Sequence, residues 1–110
     1  MANTFLRKTQ RNIGTSATTV GSYTVGASTA TTVIGLTCAN TTTTAITVDV
    51  QHNDGSNDTY MVKGATVPSG GSLVVVGGDQ KVVLQAGDSI KITSSAATSC
   101  DVIMSILEIT

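Results

Sequence analysis

The side chain with the widest chemical range in this sequence is His52, the only histidine. An imidazole titrates near neutral pH and could act as the general base for a serine nucleophile. However, His52 follows Ile46, Val48 and Val50 at every second position, so it continues the apolar face of a strand to the end of that strand. The sequence also has no G-x-S-x-G motif to expose a nucleophilic serine. We therefore predict that His52 is a boundary residue of a strand and that the chain is not an enzyme.

Two segments could in principle hold an ion or a phosphate. Residues 53–58, Asn-Asp-Gly-Ser-Asn-Asp, offer oxygens that a calcium ion could use, but they lack the D-x-D-x-D-G spacing and distal glutamate of a calcium loop. Residues 77–81, Gly-Gly-Asp-Gln-Lys, do not match G-x-x-x-x-G-K-S/T and precede no helical pattern. We interpret both segments as turns, with weak cation binding at 53–58 as the alternative, and predict no cofactor.

The two cysteines, Cys38 and Cys100, are an even pair far apart in the chain. One histidine and two distant cysteines cannot supply four zinc ligands, so no metal site is expected. The N-terminus has no signal-like apolar stretch, and we expect the chain to be made and kept in a cytosol. Reducing conditions there favour buried free thiols, with a disulfide as the alternative. Such a disulfide would add on the order of 4 kcal/mol by closing a long loop.

The composition restricts the function further. The chain has 110 residues, enough for one domain. Only 12% of its residues are charged, against about 25% in an ordinary globular protein. Threonine and serine number 20 and 11, and a hydroxylated surface costs less to desolvate against another chain than a charged one. This composition favours a protein that works in an assembled state.

The cations are concentrated at the start of the chain. Arg7, Lys8 and Arg11 are half of the six lysines and arginines, and the net charge of the whole chain is −1. That net charge argues against nucleic acid as a partner of the domain body. We interpret residues 1–12 as a basic N-terminal arm ahead of a domain at residues 13–110. Such an arm is a solvated terminus, a segment that docks on an acidic neighbour in an assembly, or a segment that contacts nucleic acid.

Strand-like segments recur along the rest of the chain, separated by clusters of turn-forming residues. The spacing predicts an all-β fold, an antiparallel β-sandwich of jelly-roll or immunoglobulin-like type with about eight strands. The segment 73–76 is continuously apolar and is predicted to be covered on both faces. The predicted strands are residues 18–25, 32–38, 46–52, 59–67, 73–76, 81–85, 89–94 and 100–109.

The last predicted strand is apolar on both faces. Val102, Met104 and Ile106 share one face, and Ile103, Leu107 and Ile109 share the other. A half-exposed antiparallel strand should have only one apolar face. Either this strand is central and sandwiched, or its second face meets another subunit. We therefore predict that partner-binding residues include Arg7, Lys8, Arg11, Ile103, Leu107 and Ile109.

Four segments carry a resemblance to a known class of proteins: residues 68–76, 78–84, 86–95 and 101–109. They resemble small virion proteins of tailed bacteriophages, particularly cyanophages, through motifs such as leucine followed by x-Ala-Gly-Asp-x-Ile. The resemblance extends upstream through residues 12–16 and 20–25 and covers most of the chain. It implies a β-sandwich that binds symmetrically arranged copies of itself or another particle protein, and it carries no catalytic residues.

The first expectation from this resemblance is a capsid cement or decoration protein located in the virion. It would form a small oligomer, such as a trimer, at junctions of major capsid subunits. The alternative is a neck, collar or tail subunit that forms a closed ring. A third possibility is a receptor- or glycan-binding tip domain, which would need an exposed aromatic platform. Phe5, Tyr23 and Tyr60 are too few and too scattered in the sequence to provide one.

Overall fold

The computed structural model describes residues 2–110 and is built almost entirely of strands. A single turn of 3-10 helix at Val20–Ser22 is the one helical element assigned within that range. No helix among these residues has the length and hydropathy needed to cross a bilayer. The strands are β1 (Asn3–Ile13), β2 (Thr18–Thr19), β3 (Ala30–Asn40), β4 (Ile46–Asn53), β5 (Asp58–Val67), β6 (Ser72–Val76), β7 (Val82–Leu84), β8 (Ser89–Ser94) and β9 (Cys100–Ile109).

The strands form two antiparallel sheets. One sheet, called the β9 sheet, has the order β1-β9-β3-β6, with β7 also paired to β3. The other, called the β4 sheet, has the order β2-β8-β4-β5. Both β6 and β7 run antiparallel to β3, so they are two pieces of one strand interrupted at residues 77–81. The expected all-β antiparallel sandwich is thus confirmed, with eight strands when this interrupted strand is counted once.

The order in which the strands are connected distinguishes between the two predicted topologies, the jelly roll and the immunoglobulin-like sandwich. It is that of a jelly roll. Successive strands pass from one sheet to the other, apart from the β4–β5 hairpin and the β6–β7 interruption. In an immunoglobulin-like sandwich, by contrast, the first two strands lie side by side in one sheet. Here β1 and β2 lie in different sheets, and β1 pairs with the last strand. This is the double Greek-key order of a jelly roll.

The core lies between the sheets and follows the alternation of each strand. Val50 and Ile92 of the β4 sheet and Leu36, Met104 and Ile106 of the β9 sheet are fully buried. Burying such a side chain contributes roughly 1.5–3 kcal/mol. The core therefore uses one face of each sheet, and the opposite faces remain outside it.

Strand β3 differs from its predicted alternation. Simple alternation along the predicted strand 32–38 places Ile34 on the same face as Leu36, but the pairing with β9 shifts between Val33 and Gly35. The buried positions are accordingly Thr31 and Val33 before the shift and Leu36 after it. The reason is a β-bulge, in which one extra residue reverses the side to which later side chains point.

Two predicted strands also require correction. Residues 18–25 were expected to be one strand, but β2 ends at Thr19 because Gly21 and Ser22 adopt φ values of 60° and 53°. Such left-handed conformations cannot continue a strand. The segment 73–76 is a strand as predicted, but its second face is uncovered, since Val74 is 63% exposed.

The expected basic arm is instead a strand of the sheet. Asn3–Ile13 pairs with β9 from Asn3 opposite Ile109 to Gln10 opposite Val102. Met1, the first residue of the predicted arm, lies outside the described residues. Of the inward positions along β1, Lys8 and Gln10 are polar, so the segment has no clear apolar alternation from which a strand could be predicted.

Candidate interaction face

The candidate functional site is the side of the β9 sheet that points away from the core, called here the outer face. Its side chains alternate with the buried ones along each strand and are assigned by the pairing register. The outer face comprises Asn3, Phe5, Arg7, Thr9 and Arg11 of β1; Asp101, Ile103, Ser105, Leu107 and Ile109 of β9; Ala30, Thr32, Gly35, Thr37 and Ala39 of β3; Ser72 and Val74 of β6; and Val83 of β7.

Two rows of apolar and β-branched side chains cross the whole outer face. The upper row, defined by the register, is Phe5–Leu107–Thr32–Val83. The lower row is Thr9–Ile103–Thr37–Val74. Phe5 is 74% exposed, Val83 62%, Val74 63% and Ile103 49%. Of the large apolar side chains exposed within residues 2–110, only Tyr60 lies elsewhere.

The outer side of the β4 sheet has a different character. Its outward positions in the central part of the sheet are polar or charged, including Asp49, Gln51 and Lys91. The Asp49 carboxylate is also used locally, since Oδ1 accepts a hydrogen bond of 2.7 Å from the Gly64 amide. One sheet thus shows the polar outer side usual for an antiparallel sheet, and the other does not. The exposed apolar side chains make the outer face the candidate interaction surface of the chain.

A shallow groove of about 330 Å³ lies at one end of the outer face. Thr9 and Arg11 form one wall, Thr37 and Ala39 form the other, and the floor includes Asp101 and Ile103. The Asp101 carboxylate accepts a hydrogen bond of 3.0 Å from the Asn12 amide, which fixes it beside the groove. The lining thus combines apolar and β-branched side chains with one cation, Arg11, and one carboxylate, Asp101.

The structure brings together five of the six residues that the sequence predicts to bind a partner. Arg7 and Arg11 lie on the outer face beside Ile103, Leu107 and Ile109. Lys8 is separated from them: its side chain points to the inner side of β1, where Nζ is 5.1 Å from the centre of the Tyr23 ring.

Sequence reasoning missed three members of the face: Phe5, Val74 and Val83. Phe5 was assigned to the arm, and Val74 was assigned to a strand covered on both sides. The signal that could have found the two valines is the run of three or more apolar residues at 73–76 and 82–84, which indicates two apolar faces but not what covers them.

A polar cluster fastens β9 to the segment that precedes β3. The Tyr23 hydroxyl donates a hydrogen bond of 2.6 Å to Glu108 Oε2 and lies 2.8 Å from Thr31 Oγ1. Burial, followed by the hydrogen bond to Glu108, raises the pKa of Tyr23 to about 12. This cluster lies inside the sandwich and holds the register of the strands that carry the outer face.

Tyr23 gives a pH-dependent stability. Because its folded pKa of about 12 exceeds the ordinary value of 10.0, its contribution is complete below pH 10 and is lost as the pH rises towards 12. We expect Tyr23→Phe to be less stable than wild type at pH 8 and to lose less stability than wild type between pH 9.5 and 12. Urea unfolding across that range measures the free energy of unfolding of both proteins. Tyr60, the other tyrosine, is present in both, so it does not cause a difference between them. Equal pH slopes would contradict the assignment.

His52 has a structural role at the end of β4. Its Nε2 lies 2.9 Å from Oδ2 of the buried Asp88, and the same oxygen accepts a hydrogen bond of 2.9 Å from the Gln85 amide. The half-buried position of His52 confirms the predicted boundary residue. The pair joins β4 to the turn before β8.

The segment 53–58 forms the predicted hairpin turn. Asp54 Oδ1 accepts hydrogen bonds from the amides of Asn57 and Ser56, which lower the pKa of Asp54. Asn53 is joined to Asp58 by a side-chain hydrogen bond of 2.6 Å. The oxygens of the turn therefore serve the turn itself. Within residues 2–110, no group of three or more histidines, cysteines or acids is placed to hold a metal ion.

The two cysteines are buried free thiols on neighbouring strands. Cys38 pairs with Val102 and Cys100 pairs with Asn40, which places the thiols diagonally on the inner side of the β9 sheet. The neighbouring Cys100 thiol, together with burial, raises the pKa of Cys38. Of the two redox states considered from the sequence, the structure has the free thiols.

Comparisons with known proteins support the fold. No protein-family description matches the chain, and no curated protein matches it by sequence. The chain is similar to a solved structure described as "Bacillus endospore appendages form a novel family of disulfide-linked pili". The TM-score is 0.58 at 17% identity, over 99% of this chain and 87% of the other. This likeness shows that the chain shares its β-sandwich fold with a pilus protein.

Proposed function

We propose that this chain is a structural subunit of the particle of a tailed bacteriophage, acting as a cement or decoration protein on the head shell. The observation that supports the proposal best is the exposed apolar outer face, with its two rows of side chains. The virion setting comes from the sequence resemblance, and the low charge fits a protein that is buried among others.

Many weak contacts would provide the stabilisation. Each fully buried valine, isoleucine or phenylalanine contributes roughly 1.5–3 kcal/mol, so even partial burial of the two rows gives a modest affinity. Repetition around a shell multiplies this affinity, because each further contact within one assembly is intramolecular. A small domain without a catalytic site can therefore reinforce a much larger particle.

Co-sedimentation tests this proposal. Purified protein is incubated separately with emptied heads and with isolated tails of a cyanophage, and the pellets are quantified. We expect saturable binding to heads at a fixed ratio to the major capsid protein. Binding to tails alone would replace the cement role with the neck or tail alternative. Protein that stays in the supernatant with both would refute a virion role.

Arg7 gives a more specific test of the binding surface. It is exposed on the edge strand β1, at the border of the outer face, so Arg7→Glu should leave the fold intact while reversing a charge that a neighbouring capsid subunit can reach. We expect binding to heads to weaken about two- to fivefold at low salt, since exposed ion pairs contribute up to about 1 kcal/mol. Lys63→Glu, the same change at an exposed site of the β4 sheet, is the control. Equal effects of the two variants would remove Arg7 from the contact.

A filament subunit is the second candidate function. It is favoured by one observation, the fold shared with a pilus protein. Electron microscopy of the concentrated, purified protein distinguishes the two functions. Filaments formed without any other protein would favour this candidate, whereas discrete small oligomers favour the cement role.

A further inference from the structure

We propose that the outer face is occupied by a second copy of this chain, packed face to face about a two-fold axis parallel to the strands and located between β9 and β3. The inference rests on the proposed function in one respect, that the chain works in an assembly, and it names the partner of that surface.

The β9 sheet is four strands wide, in the order β1, β9, β3 and then β6 with β7. A two-fold axis along its midline reverses that order in the second copy. Strand β1 of one copy then lies over β6 and β7 of the other, and β9 lies over β3. Packed sheets keep their strands within about 30° of each other, which this arrangement allows.

The two rows of the outer face are complementary to themselves under this operation. In the upper row, Phe5 faces Val83 of the second copy and Leu107 faces Thr32. Phe5, the most exposed of the large apolar side chains on the face, therefore meets a valine that is itself 62% exposed.

The lower row behaves in the same way. Thr9 faces Val74 of the second copy, and Ile103 faces Thr37. Between the two rows, Ser105 faces Gly35, and these small residues leave room for the sheets to approach at the centre. Both rows thus place an apolar side chain against an apolar or β-branched one at every position.

The charges favour this axis over one perpendicular to the strands. An axis across the strands through Ser105 would place Arg7 against Arg7 of the second copy, and like charges in contact are unfavourable. The axis along the strands puts the two Arg7 side chains at opposite borders of the interface. Each then faces the interruption between β6 and β7, which carries Asp79.

The size of the face fits a dimer. Four strands about 4.8 Å apart, with about nine residues each rising about 3.3 Å, give roughly 19 Å by 30 Å, or about 600 Å² of flat area. Accessible surface exceeds flat area, so this approaches the roughly 800 Å² that each partner buries in a standard interface. We expect a dimer in reversible equilibrium with the monomer.

Sedimentation equilibrium of the full chain tests the dimer. Wild type should dimerise with increasing concentration, and Phe5→Glu and Val83→Glu should each raise the dissociation constant at least tenfold. Both sites are exposed, so circular dichroism should be unchanged. Thr66→Glu, at an exposed site on the β4 sheet, should dimerise like wild type. A wild-type monomer at all concentrations, or a trimer, would overturn the inference.

Cross-linking tests the orientation. Phe5→Cys protein mixed with Val83→Cys protein should be joined by a short bis-maleimide, whereas Phe5→Cys protein alone should not. The natural thiols are fully buried, and wild type is the control for their reaction. Efficient joining of two Phe5→Cys chains would overturn the axis.

The two proposals fail separately. A monomer that still sediments with heads overturns the dimer and leaves the virion role. A dimer that binds no particle overturns the virion role and leaves the dimer.

Discussion

Replacing Asn40 with aspartate should lower the free energy of unfolding by about 3–5 kcal/mol, the range for an uncompensated buried charge. Asn40 is 3% exposed at the end of β3, and its Nδ2 donates to the carbonyls of Thr44 and Val67 at 2.8 and 3.0 Å. A carboxylate at this position has no proton to donate and would face both carbonyl oxygens. Because Val67 belongs to the β4 sheet, the substitution also weakens a link between the two sheets.

Urea unfolding monitored by circular dichroism at pH 7 measures this effect. Thr43→Asp is the matched control, since Thr43 lies exposed in the same turn and should change the stability by less than about 0.5 kcal/mol. Asn40→Ala should fall between the two, because it removes the donors without adding a charge. An Asn40→Asp protein as stable as the Thr43→Asp control would contradict the role given to this side chain.

The second large effect is expected at Leu36. This residue is fully buried opposite Met104, and Leu36→Ala should destabilise the fold by about 2–5 kcal/mol through lost burial and the cavity left behind. Val74→Ala, in the same sheet but on the outer face, should change the stability by less than about 0.5 kcal/mol.

The contrast between these two variants separates folding from function. If the outer face is not needed for folding, its apolar side chains require another explanation, and contact with another protein supplies one. Chemical denaturation of both variants measures the contrast. A Val74→Ala protein that loses as much stability as Leu36→Ala would show that the outer face belongs to the fold.

The sequence predicted the elements whose patterns are local. Strand β9 has the predicted bounds, and the turn at residues 53–58 is a hairpin because its asparagines and aspartates satisfy their own backbone amides. The bulge at Ile34 was not predicted, since an extra residue leaves the apolar composition of a strand unchanged.

Long-range pairing explains what was missed. Strand β1 carries Arg7, Lys8 and Arg11, and it becomes a strand only by pairing with β9 at the other end of the chain. The choice of a jelly roll depends on the same pairing. In the candidate site, the sequence alone indicates the apolar second face of β9, which carries Ile103, Leu107 and Ile109. The rows that continue it across the sheet depend on register, which a single sequence does not reveal.

The most direct test of the outer face as a protein contact surface is a cryo-electron microscopy reconstruction of particles that contain this chain. We predict that protein density from a neighbouring subunit lies against Phe5, Ile103 and Val83 in every copy. An outer face that is open to solvent throughout the particle would contradict the account.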